Sequence, residues 1–85
     1  MPKSVFTDAY AALLDMLVAL RKERGLTQVE LSKRLGKPQP FVSYIERGER
    51  RIDVIEFYAI MRAMGVDPTK AFGDLARRLP KKVDI

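Results

Sequence analysis

Gly25, Gly36, Gly48 and Gly65, with Pro38, Pro68 and Pro80, cut this chain into five short stretches, and within each stretch apolar residues recur at helical spacing. No stretch alternates with a period of two. The expected architecture is therefore all-α: a compact five-helix bundle with short connections. The chain has 85 residues, enough for one domain and one core. A domain this small buries only about 60% of its unfolded surface, so its stability is expected to be marginal and a partner subunit would help.

The first helix is expected over about 7–24. Thr7 is placed to cap it, Asp8 suits its positive end, and Gly25 stops it. Leu13, Leu17, Leu20 and Arg24 share one face, and Tyr10, Leu14 and Val18 widen the arc. That arc is broader than one surface helix needs, so part of it must meet a second surface. The second helix, about 27–35, opens on Thr27 with Glu30 three residues later, the spacing of a capping box. Leu31 and Leu35 should be its core residues. The third runs from about 38 to 47 with Val42 and Ile45 inward. The fourth, about 53–64, opens on Asp53 with Glu56 at capping distance and turns Phe57, Ile60 and Met64 to the core. The fifth, about 67–79, has Pro68 at its first position and carries Phe72, Leu75 and Leu79. The tail over 80–85 is expected to be mobile.

Composition narrows the chemistry. The chain contains no Cys, so disulfides and thiolate metal sites are excluded, and no His, so the commonest general base and metal ligand is missing. No carboxylate cluster or glycine-rich phosphate loop stands in for them. An enzyme, a cofactor and a metal are not expected. Lys3 precedes an apolar stretch, but Asp8 and Asp15 interrupt it, and the longest uncharged run there, Ala9 to Leu14, falls far short of a membrane span. The expectation is a soluble, cytoplasmic protein. Net charge is +5 and uneven: Lys33, Arg34, Lys37, Arg47, Arg50 and Arg51 face only Glu46 and Glu49 over residues 33–51. Arg77, Arg78, Lys81 and Lys82 form a second basic group. Such local excess suits a polyanion as well as a solvated face.

Two short helices around Leu35-Gly36-Lys37-Pro38 have the layout of a helix-turn-helix over about 27–47. The run Gly25-Leu26-Thr27-Gln28, Leu31-Ser32, Leu35-Gly36, Gln39, Val42-Ser43, Ile45-Glu46 and Gly48, followed by Phe57, Ile60 and Gly65-Val66, resembles the phage repressor and Cro (XRE-like) family of DNA-binding regulators. The resemblance spans about Leu17 to Leu75. It implies a lambda-repressor-like fold that binds double-stranded DNA, with the third helix in the major groove.

Physical reasons accompany the match. Gly36 permits a sharp turn, and Ser32 is small enough for close approach of the two helices. Gln28 opens the second helix, where free N–H groups favour a phosphate. Gln39 opens the third, and a glutamine can pair bidentately with adenine. The resemblance implies that Gln28 orients Gln39 and touches the DNA backbone. Pro40, Ser43 and Tyr44 complete the outward face of the reading helix, Tyr44 offering a ring to a thymine methyl. Arg47, Arg50 and Arg51 in the following loop, and Lys37 in the turn, are expected on phosphates, which position the protein without reading sequence. The resemblance also implies a partly buried ion pair between Arg21 and Glu46 that clamps the third helix onto the first. Pro38 and Pro40 depart from the family pattern. Gln39 precedes a proline and is biased away from α geometry, which delays the start of the helix.

A single short helix reads few base pairs, so a homodimer on a palindrome is the expected form. Leu14, Val18, Phe72, Leu75 and Leu79 form a spare apolar surface, open to two readings: packing of the fifth helix on the first within one chain, or a two-fold dimer interface. The competing reading is an antitoxin that binds a toxin protein and also binds DNA to regulate itself. With no second domain for a small-molecule sensor, control is expected through concentration, a partner or proteolysis.

Overall fold

Helix ends are set by side chains that answer the first free N–H groups. The computed structural model, which describes residues 7–85, has five helices, all but the third opened by such a cap: α1 (Asp8–Glu23), α2 (Gln28–Arg34), α3 (Phe41–Glu46), α4 (Val54–Met64) and α5 (Pro68–Arg78). Thr7 Oγ1 accepts the Tyr10 N–H at 3.1 Å. Thr27 and Glu30 close a reciprocal box, with Glu30 N–H on Thr27 Oγ1 at 3.0 Å and Thr27 N–H on Glu30 at 2.8 Å. Asp53 and Glu56 do the same for α4 at 2.7 and 2.9 Å. Asp67 caps α5 ahead of Pro68. Among the described residues there are helices and turns but no strand.

The third helix is shorter than its sequence suggests, starting at Phe41 rather than Pro38. Gln39, held before Pro40, does not enter the helix. Residues Pro38 to Phe41 form a turn instead, with Phe41 N–H on the Pro38 carbonyl at 3.0 Å. The first α-helical bond is from Tyr44 N–H to the Pro40 carbonyl. Pro40 is thus the cap residue, and its side chain caps nothing.

The core joins Tyr10, Leu14, Leu17, Leu31, Val42, Ile45, Phe57, Ile60, Met61, Met64 and Leu75. α1 packs on α3 along one side and on α5 along the other, and α4 closes against α2 and α5. The wide apolar arc of α1 is therefore spent inside one chain: Leu14, Met16 and Leu75 are all buried. Phe72 lies at the rim of α5. It is 54% exposed, because α5 turns Ala71 and Leu75 inward, four residues apart, and leaves its neighbour at the edge. Its ring meets Phe57 edge-on at 6.2 Å. Besides Phe72, exposed apolar surface gathers at the start of α4, where Val54, Ile55 and Tyr58 are at least half exposed.

Candidate nucleic-acid interface

The turn between α2 and α3 depends on one backbone conformation. Gly36 has φ +68°, in the left-handed region that side chains disfavour, and it returns the chain so that Lys37 N–H reaches the Ser32 carbonyl at 3.0 Å. Ser32 then meets the start of α3. It is fully buried, and its Oγ accepts the Val42 N–H at 3.1 Å. Val42 is the second residue of α3, so Ser32 performs from the neighbouring helix the capping that Pro40 cannot.

The rear of α3 is held by charge. Arg21 donates from Nε and Nη2 to the two oxygens of Glu46 at 2.6 and 3.1 Å, and from Nη1 to the Leu26 carbonyl at 2.8 Å. Both side chains are about nine-tenths buried. Gln28 Nε2 donates to Glu46 Oε1 at 2.8 Å. This corrects one expectation: Gln28 is committed to Glu46 rather than to Gln39. The three residues tie α1, α2 and the end of α3 at one point.

Gln39 and Pro40, in the turn that leads into α3, are exposed, and on α3 itself Ser43 is half-buried and Tyr44 exposed. Cations ring this face and rest on aromatic rings. Lys37 lies 5.5 Å and Arg50 4.9 Å from the centre of the Phe41 ring, Arg47 5.2 Å from Tyr44, and Arg51 4.1 Å from Tyr10. Tyr10 also accepts the Ile52 N–H on its hydroxyl at 3.1 Å, tying the loop after α3 to the start of α1. The loop arginines also hold partners within the chain. Arg47 makes a two-pronged pair with Glu49 at 2.9 and 3.2 Å and donates to Ser43 Oγ at 3.0 Å. Arg50 pairs with Glu56 at 2.8 and 3.2 Å and donates to the Arg51 carbonyl. Arg34 reaches the Ala63 carbonyl near the end of α4 at 2.9 Å.

Sequence reasoning missed Tyr10, Phe41, Ser32 as an acceptor, and Glu49 and Glu56 as partners of arginines. Only the four-residue spacing of Ser43 and Arg47 was a readable signal. The Arg50–Glu56 and Tyr10–Ile52 contacts cross loops with no periodic spacing.

The Arg50 hydrogen bonds hold the Glu56 carboxyl below the usual carboxylate range, with the Asp53 N–H adding to the effect. Glu30 is lowered chiefly by the Thr27 N–H. A carboxyl depressed on folding stabilises the fold above its unfolded pKa of about 4.3, and that contribution is lost as pH falls through the lower folded value. Glu56→Gln should therefore be less stable than the parent at pH 7, with the gap closing toward pH 3. Urea denaturation at several pH values checks this, and a gap that is constant with pH would reject it.

No described helix is long and apolar enough to cross a membrane. No group of His, Cys, Asp and Glu among the described residues could hold a metal ion.

Residues 17–70 match the helix-turn-helix family profile. A solved XRE-family like protein from Pseudomonas syringae pv. tomato is 48% identical, with a TM-score of 0.78 over 86% of this chain and 91% of that one. The HTH-type transcriptional regulator y4dJ of Sinorhizobium fredii is 47% identical over 47 residues, 55% of this chain and 61% of the relative. Antitoxin HigA1 of Mycobacterium tuberculosis is 41% identical over 61 residues, 67% of this chain and 41% of the relative. The chain thus spans less than two thirds of the length of these two curated relatives. A family match that contains both α2 and α3, on a backbone shared almost end to end with a solved relative, makes this chain a member of the XRE family of helix-turn-helix proteins.

Proposed function

We propose that the chain is a sequence-specific, double-stranded DNA-binding transcriptional regulator, a repressor that occludes its operator as a homodimer in the cytoplasm and catalyses no reaction. One observation carries the reading. Gln39 and Pro40 in the turn, with Ser43 and Tyr44 on the short helix that follows, form an exposed edge that is anchored behind by Arg21, Glu46 and Gln28 and flanked in sequence by Lys37, Arg47, Arg50 and Arg51. A rigid polar edge between cations suits base edges in the major groove with phosphates on either side.

Dimerisation follows from the size of the target. Half-sites one turn apart place two copies about 34 Å from each other. The molecule measures 34 × 29 × 21 Å, so two copies with their long axes along one face of the duplex come into contact. The exposed Val54, Ile55 and Tyr58 of α4 directly follow the arginine loop and supply an apolar surface for that contact.

Selection of sites from random duplex DNA tests both ideas. The parent should enrich a short palindrome. Gln39→Ala should blur defined positions, at a discrimination cost of about 1–3 kcal/mol for a two-bond base contact, and Tyr44→Ala should blur those where its ring meets a thymine methyl. Ile55→Glu should reduce the palindrome to one half-site while the fold is kept. Weak binding without any enriched sequence, abolished by salt, would leave only electrostatic attraction and sink the regulator reading.

The similarity to Antitoxin HigA1 favours one second reading, an antitoxin that binds a toxin protein and regulates its own transcription. A stable complex between this chain and the product of a neighbouring gene would support it.

A further inference from the structure

Four basic residues border the reading face, and they are not equivalent. Arg50 is tied to the loop at both ends of its pair: its partner Glu56 is itself held by the Asp53 N–H and is 30% exposed, and Arg50 Nη1 also donates to the Arg51 carbonyl. Arg51 lies on buried Tyr10. Arg47 is different. Its side chain is 53% exposed and that of its partner Glu49 56%, yet its Nε/Nη2 fork is filled by Glu49 and its Nη1 donates to Ser43 Oγ.

We propose that Glu49 is a specificity-setting residue: its carboxylate occupies the fork of Arg47 where a DNA phosphate would sit, and so withholds Arg47 from DNA that the reading face does not fit. This rests on the DNA-binding reading above.

A carboxylate and a phosphate offer a guanidinium the same pair of oxygens, so the two compete for one site. The exposed pair is weak and readily exchanged. Arg47 is also tied to the reading face, because it donates to Ser43 Oγ and lies against the Tyr44 ring. Moving Arg47 onto a phosphate therefore frees the Ser43 hydroxyl and uncovers one side of Tyr44. On a fitting sequence those two groups find base partners, and the exchange is favourable. On any other sequence they gain nothing, Arg47 stays with Glu49, and the unexchanged carboxylate repels the nearby backbone. Glu49 thus acts through Arg47 as a positioning residue.

Glu49→Gln tests this. The variant should bind random-sequence duplex more tightly than the parent, and its salt slope should steepen by about 0.9, the value of one added phosphate contact. Its advantage should therefore shrink roughly threefold between 50 and 200 mM salt. Binding to the selected site should tighten less, so the ratio of specific to non-specific affinity falls. Glu23→Gln, which removes the same charge at the exposed end of α1, controls for net charge. In an Arg47→Gln background the effect of Glu49→Gln should vanish. The proposal is overturned if Glu49→Gln binds random duplex no more tightly than Glu23→Gln, or keeps its gain without Arg47. A parent that binds no duplex at low salt overturns the DNA-binding reading as well. A parent that binds, with an unchanged slope in Glu49→Gln, removes only the role of Glu49.

Discussion

Arg21→Met is expected to lose about 3–5 kcal/mol of folding stability, the cost of leaving one half of a buried ion pair behind. Glu46 would keep only the Gln28 amide against a carboxylate that is almost fully enclosed, and the Leu26 carbonyl would lose its donor. Domains of this kind are stable by only about 5–15 kcal/mol, so the loss is a large share of the whole. At about 4–8 °C per kcal/mol, the melting temperature should fall by more than 10 °C. The double variant Arg21→Met with Glu46→Leu removes both charges and should recover most of the loss, because apolar groups of similar size often replace a buried pair without penalty. DNA binding should not recover with it. Without Glu46, Gln28 has no acceptor and the rear of α3 no polar tie to α1. Urea midpoints for the two variants, beside binding to the selected site, check both halves. Equal loss of stability in the single and double variants would mean that shape, rather than charge, makes the clamp.

The parts of this molecule that could be read in advance are those governed by local spacing. Thr27 with Glu30, and Asp53 with Glu56, lie three residues apart, and the reciprocal bonds follow from helix geometry alone. The Arg21–Glu46 pair was legible through family resemblance, since nothing local links residues 25 apart. Failures occurred where tertiary packing chose between neighbours. Spacing grouped Phe72 with Leu75 and Leu79, but the inward line of α5 runs through the small Ala71, and Phe72 is left at the rim. Met61, fully enclosed, went unnoticed beside Ile60 for the same reason: a fourth helix packed on two others buries a wider arc than one stripe. The basic character of residues 47–51 was evident from composition. Which arginine rests on which ring and which carboxylate it holds depends on the loop path, which no spacing encodes.

The second large effect is expected at Ser32, and it follows from the two prolines. Pro38 and Pro40 have no N–H, and Phe41 N–H is satisfied by the turn, so Val42 is the buried amide at the start of α3 that needs an outside acceptor. Ser32→Ala takes that acceptor away at a cost of about 1–3 kcal/mol. Ser32→Val also forces two methyl groups into a position with no exposed surface, adding about 1–3 kcal/mol of overpacking. Urea denaturation should rank the three proteins in that order, and hydrogen exchange at the Val42 amide should quicken in both variants. The functional consequence should be selective. In Ser32→Ala the loop arginines keep their places, so non-specific binding and its salt slope should hold. The start of α3 and the Gln39 beside it lose their anchor, so discrimination among sequences should weaken. If Ser32→Ala instead left the Val42 amide protected and the selected palindrome sharp, the prolines alone would be stiff enough to set α3, and the reading edge would owe nothing to the helix before it.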